Sequence, residues 1–145
     1  MVSPKTLLAT ALVAAPGLAS AYIQQMTAPA TAAAGSTVTV TLGTAIYIQN
    51  WDDLSIAWGL ADPAWGGESA DGNIYIGTQV GYTALYPDRV PDDGAGSQNS
   101  FAVDVDIPAG QAPGDYLLVA AVPYIVGASG SIAVRAFNAT ISVTA

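Results

Sequence analysis

The chain has 145 residues, about half of them hydrophobic, and carries eleven acidic side chains against three basic ones, for a net charge of −8. It contains no cysteine and no histidine, which excludes Ser–His triads, cysteine nucleophiles, disulfide scaffolds and the usual zinc or copper ligand sets. Such an acidic chain repels phosphate backbones and anionic lipid, so neither a nucleic-acid nor a membrane partner is expected, and no cofactor is implied.

At the N-terminus Lys5 precedes an apolar run, LLATALVAA (7–15), then a break at Pro16–Gly17 and small side chains at Ala19 and Ala21. This is the pattern of a secretory signal peptide, and its apolar run is too short to span a bilayer. Residues 1–21 are therefore expected to be removed, leaving 22–145 as a single mature domain with Arg89 and Arg135 as its only cations. The C-terminal ISVTA has no hydrophobic anchor signal, so an exported, soluble protein is expected. A domain of this size buries roughly two-thirds of the surface its unfolded chain exposes. A secreted chain without disulfides must rely on that core.

Beyond the signal, apolar and polar residues alternate with period two, and turn residues separate the runs. YIQQMTA (22–28) reads as a first edge strand ended by Pro29. GSTVTVTLG (35–43) points Val38, Val40 and Leu42 one way and its threonines the other. In DLSIAWGL (53–60), Leu54, Ile56 and Trp58 form the apolar face, and GNIYIGT (72–78) is a short fourth run. ALYPDRVPDDGAGS (84–97) reads as a long surface loop. QNSFAVDVDI (98–107) buries Phe101, Val103, Val105 and Ile107 and turns Asp104 and Asp106 outward. GDYLLVAAVPYIV (114–126) is almost wholly apolar, as a central strand covered on both faces would be. SIAVRAFNATISV (131–143) changes phase near Ala136, which suggests a bulge. The pattern predicts an all-β fold, an immunoglobulin-like antiparallel β-sandwich of about seven strands. Trp58 on the third strand and Tyr116 at a tyrosine-corner position agree with it.

Few residues carry chemistry. In YIQNWDDLSIAWG (47–59) Trp58 is expected in the core, while Trp51 either packs under a loop, the favoured reading, or stacks on a ligand. Asp52 and Asp53 are neighbours in an extended segment and point to opposite sides, so they do not converge on a substrate. Asp88, Asp92 and Asp93 share a Gly-rich loop but lack the spacing of a calcium loop. Asp104 and Asp106 share one face, yet a glycosidase pair needs a buried acid, and these face solvent. The triplet Asn138–Ala139–Thr140 is a glycosylation acceptor on the outward side of the last strand.

YIQ (47–49), DLSIAWG (53–59), GNIYIG (72–77), IPAGQAPGDYLLVAAV (107–122), GASGS (127–131) and FNATISV (137–143) occur in the order and at about the spacing found in one fungal family. Over nearly the whole mature chain the protein resembles the necrosis-inducing secreted proteins, small effectors of plant-associated fungi. The resemblance implies an immunoglobulin-like, non-enzymatic protein that suppresses plant pattern-triggered immunity. It would do so by binding and inhibiting receptor-associated immune kinases, and so would have to reach the interior of host cells. It further implies that the last hairpin, about 122–145, carries the activity. The candidate contacts are then Tyr124, Gly127 and Ser129 in the turn, Arg135, and Phe137, which is equally a core candidate. Here Tyr124 is separated from Gly127 by Ile125 and Val126, whereas relatives carry a Tyr-Gly-Ala arrangement before the final strand. The alternative is a cell-wall or carbohydrate-binding module, with Trp51, Trp65, Tyr82 and Tyr86 in or near loops where rings stack on sugars.

Overall fold

The computed structural model describes residues 20–47, 50–87 and 99–145. Among them it has eleven strands and no helix: β1 (Ser20–Thr27), β2 (Thr31–Ala33), β3 (Thr37–Tyr47), β4 (Trp51–Asp53), β5 (Ser55–Ala61), β6 (Gly67–Glu68), β7 (Ile74–Tyr75), β8 (Thr78–Ala84), β9 (Ser100–Asp106), β10 (Gly114–Val126) and β11 (Ser131–Thr144). One sheet has the order β1-β3-β9, and a larger one runs β2-β11-β10-β5-β8 with β4 also paired to β10. Neighbours are antiparallel except β2, which lies parallel to β11.

The core fills the space between the sheets. Ile23, Val40 and Leu42 from the first sheet meet Ile56, Trp58, Leu118, Val122 and Ile141 from the second, all essentially shielded from water. Each such side chain contributes roughly 1.5–3 kcal/mol of burial free energy. Trp58 donates its Nε1–H to Thr83 Oγ1 of β8 at 2.9 Å, which satisfies its one polar atom. On the outer face of β3 and β9, Thr37 and Thr39 donate to Asp106 and Asp104 at 2.6 and 2.7 Å, each acid directly opposite its threonine. The Tyr116 hydroxyl donates to the Ala112 carbonyl at 2.9 Å, closing the tyrosine corner.

Three features differ from the sequence reading. The segment expected as one strand over 53–60 is split at Leu54, because Pro123 of β10 has no N–H to give there. The Leu54 N–H instead donates to the Pro123 carbonyl at 2.9 Å, and its own carbonyl accepts from Leu85 and Tyr86. The region that reads as one short run over 72–78 holds β7 and ends where a separate edge strand, β8, begins at Thr78, so Tyr82 lies on a strand rather than in a loop. β11 has no bulge: its register with β10 is unbroken from Gly114↔Val143 to Val126↔Ser131. The change of phase near Ala136 arises because Ile132 and Val134 face solvent while Arg135 turns inward. Of the loop expected over 84–97, residues 88–98, with Asp88, Asp92 and Asp93, lie outside the described residues.

A third layer covers part of the larger sheet. The short β6–β7 hairpin and the residues after it fold across the outer face of β5 and β10. Val119 points outward there and is nevertheless fully buried. The approach is close enough that a Cβ on Gly59 would stand 2.0 Å from the Ile76 carbonyl oxygen. This is why β10 reads as apolar on both faces.

Candidate functional site

At the end of the sandwich below the β10–β11 turn, a charged residue takes an inward position. Arg135, on the core-facing side of β11, donates Nη2–H to Asp53 Oδ1 and Nη1–H to the Ile23 carbonyl, both at 2.6 Å. Asp53 also accepts from Trp51 Nε1 at 2.9 Å on Oδ1 and from the Ile23 N–H at 2.7 Å on Oδ2. Its carboxylate thus ties β4 and β11 of one sheet to β1 of the other. β1 is an edge strand, and the pair takes up both backbone polar groups of Ile23.

Aromatic rings enclose this pair. Trp51 and Tyr124 stack at 4.5 Å between centroids and 6° between planes. Tyr22 and Tyr47 pack on Trp51 at 4.9 and 5.1 Å. The Arg135 guanidinium carbon is 4.8 Å from both the Trp51 and the Tyr124 centroid, and 5.4 and 5.6 Å from Tyr22 and Phe137. With the two stacked rings only 4.5 Å apart, these distances put the cation beside the stack rather than between its rings. The arrangement has already filled its space with the chain's own cation, and Asp53 has no lone pair directed at solvent. It holds two sheets together.

The residues singled out in the last hairpin therefore divide. Tyr124, Arg135 and Phe137 come together on the inner side and are partly buried, with Phe137 against the core. Gly127 and Ser129 stand in the turn beyond them, where Ser129 is exposed. The other side of β11 presents Ile132 and Val134, 68% and 50% exposed. Sequence reasoning did not single these out, although their alternation with Arg135 was visible. Trp51 belongs to the packed cluster. Asp104 and Asp106 are engaged by threonine hydroxyls, and no group of three or more acidic residues that could hold a metal occurs among the described residues.

A second aromatic grouping lies on the covering hairpin. Trp65 and Tyr75 are 55% and 45% exposed and meet edge to face at 6.5 Å. With Ala64, Gly66, Glu68 and Ser69 they line an open hollow of about 520 Å³. Tyr82 and Tyr86 are exposed as well, but no ring contact joins them to this pair among the described residues.

Fold and chemistry together define a class: a cysteine-free all-β protein that reads as exported. Over residues 19–142 the chain matches the model of the Nis1 family. It is 32% identical to the necrosis-inducing secreted protein 1 of Colletotrichum orbiculare over 129 residues, spanning 87% of this chain and 72% of that protein. It is also 32% identical over 126 residues to the protein of the same name from Colletotrichum higginsianum, spanning 87% of this chain and 81% of the relative. The chain belongs to the Nis1 family, and like these relatives it is a secreted fungal effector protein.

Proposed function

We propose that the protein acts without enzymatic activity, by binding plant receptor-associated immune kinases and inhibiting them, and so suppresses pattern-triggered immunity. Membership of a family whose relatives are named for inducing necrosis carries this reading. The kinase target is what the family resemblance implies, and those kinase domains are intracellular, so the exported protein would act after uptake by host cells. The contact is assigned to the β10–β11 turn, with Gly127 and Ser129, and to the exposed side of β11, where Ile132 and Val134 are apolar and open to solvent. Tyr124, Arg135 and Phe137 support that surface from beneath. The sandwich itself is read as immunoglobulin-like: its sheet order, buried Trp58 and tyrosine corner support that topology. Asn138 is exposed, and we propose that it is glycosylated on export.

The test is a pull-down of residues 22–145 against plant co-receptor and cytoplasmic immune kinase domains, beside an Ile132→Asp variant. A deletion of the last hairpin is a poor control, because β11 is bonded to β10 along its whole length and its loss would unfold the sheet. Micromolar binding by the parent, weakened about tenfold or more in the variant, is the expected result. Absence of binding to any such kinase at micromolar concentration overturns the proposal. A second reading, contact with carbohydrate, is favoured by the exposed Trp65–Tyr75 pair, and a glycan array with Trp65→Ala as control tests it.

A further inference from the structure

The covering hairpin places the acceptor asparagine beside the open aromatic hollow. Glycine at position 67 has φ +86°, a backbone conformation that side-chain-bearing residues rarely adopt, and a Cβ there would stand 3.2 Å from Asn138 Nδ2. With no Cβ at Gly67, the Asn138 nitrogen lies directly beside β6. The residues on either side of Gly67, Gly66 and Glu68, line the hollow with Trp65 and Tyr75. Asn138 itself is exposed, on the same outer side of β11 as Thr140.

We infer that the hollow is the seat of the protein's own N-linked glycan, attached at Asn138, with its first N-acetylglucosamine units packed on Trp65 and Tyr75. This rests on glycosylation of Asn138 during export. In that reaction the carboxamide nitrogen attacks the anomeric carbon of a lipid pyrophosphate-linked oligosaccharide. The N–C bond forms, the C–O bond to phosphate breaks, the lipid pyrophosphate leaves with the electron pair, and the nitrogen gives up one proton. The transfer takes place on the entering chain, so the folded hairpin need not admit the transferase.

The hollow suits a sugar. An indole and a phenol ring offer faces for the apolar C–H side of a pyranose. The Glu68 carboxylate, without a hydrogen-bond partner among the described residues, accepts from sugar hydroxyls. Because the glycan is tethered, its effective concentration at the hollow is in the millimolar range, so weak stacking is enough to hold it. The seated glycan would also shield two rings that the unmodified protein leaves in water.

The test uses the full protein secreted from a glycosylating eukaryotic host, compared with Thr140→Val, which removes the acceptor triplet and leaves Asn138. Acrylamide quenching of tryptophan emission reads the outcome, and Trp65→Phe in both backgrounds isolates the Trp65 component. The expected result is that intact mass finds a glycan on Asn138 and that quenching of Trp65 is about twofold weaker with the glycan than without it, since one ring face is covered. The protection should persist after enzymatic trimming to a single N-acetylglucosamine. An unmodified Asn138 overturns the inference, as does an occupied Asn138 with unchanged quenching. Chito-oligosaccharide added to Thr140→Val is the remaining arm. If it protects Trp65 while the attached glycan does not, the hollow belongs to an external sugar and the assignment fails.

Discussion

The two aromatic groupings of this protein look alike in sequence and differ in what occupies them. Trp51, Tyr22, Tyr124 and Phe137 surround a guanidinium already bonded to a carboxylate and a backbone carbonyl. Trp65 and Tyr75 surround nothing, and half of each ring faces water. Rings and acids close together do not make a binding site. The space between them must also be free, and here only the hairpin grouping leaves it so.

The comparison is broken most directly at Asp53. Asp53→Ala leaves the Arg135 guanidinium with one hydrogen bond, to the Ile23 carbonyl, in a site where the acid had no exposed surface and the arginine side chain only 21%. Removing one partner of a buried pair costs roughly 3–5 kcal/mol, and the partial exposure of Arg135 puts the expected value near the lower end. Urea denaturation followed by circular dichroism measures it. A loss below about 1 kcal/mol would mean that the pair behaves as a surface salt bridge and that the two sheets do not depend on it at this end.

Most of the sandwich was legible because period-two alternation reports directly which side of a strand faces the core. Val38, Val40 and Leu42 lie where alternation puts them, and β10 has the limits read from its apolar run. The miss at the Asp53–Arg135 pair has one cause: its partners are distant in sequence. Asp53 reads only as one of two neighbouring acids that do not converge, because its partner, Arg135, is 82 residues away. Arg135 broke the alternation of the last strand, and a lone cation on an apolar face was the signal that a buried acid should be sought. β6 and β7 are two residues each, too short for any periodicity, so the covering layer left only an indirect trace in the two-sided apolarity of β10.

Gly59→Ala attacks the other region at its base. The added methyl meets the Ile76 carbonyl at 2.0 Å, and a backbone atom there yields only if the covering segment lifts. Strain of this kind costs roughly 1–3 kcal/mol. Faster amide hydrogen exchange in β7 and an emission shift of Trp65, with the Arg135 end unaltered, are expected. Unchanged exchange would show that the cover accommodates the methyl without lifting. Trp65→Ala, made on the exposed surface of the same hairpin, is expected to change stability by no more than about 0.5 kcal/mol. Beside the loss at Asp53→Ala, that small value sharpens the contrast between a tryptophan cluster that holds the fold and one that does not.

The smallest effect concerns the turn that carries the hairpin. Asp71 accepts hydrogen bonds from the Ser69 hydroxyl and from Asn73 Nδ2, the latter at 2.6 Å, while the Ser69 N–H donates to the Asn73 carbonyl at 2.9 Å. The Ser69 hydroxyl first, and the Asn73 amide second, hold the Asp71 carboxyl below its ordinary 3.8. A folded-state value lower than the unfolded one means that the turn's gain is present above pH 3.8 and is lost as pH falls through the folded value. The carboxylate is fully exposed, so acid should loosen the turn without unfolding the sandwich. Carboxyl NMR titration of the parent should give a midpoint below 3.8, and Ser69→Ala should move it upward. A midpoint unaffected by Ser69→Ala would show that the turn is held by its backbone bonds alone. Trp65 and Tyr75, which flank the turn, would then keep their mutual contact down to the pH at which the sheets themselves unfold.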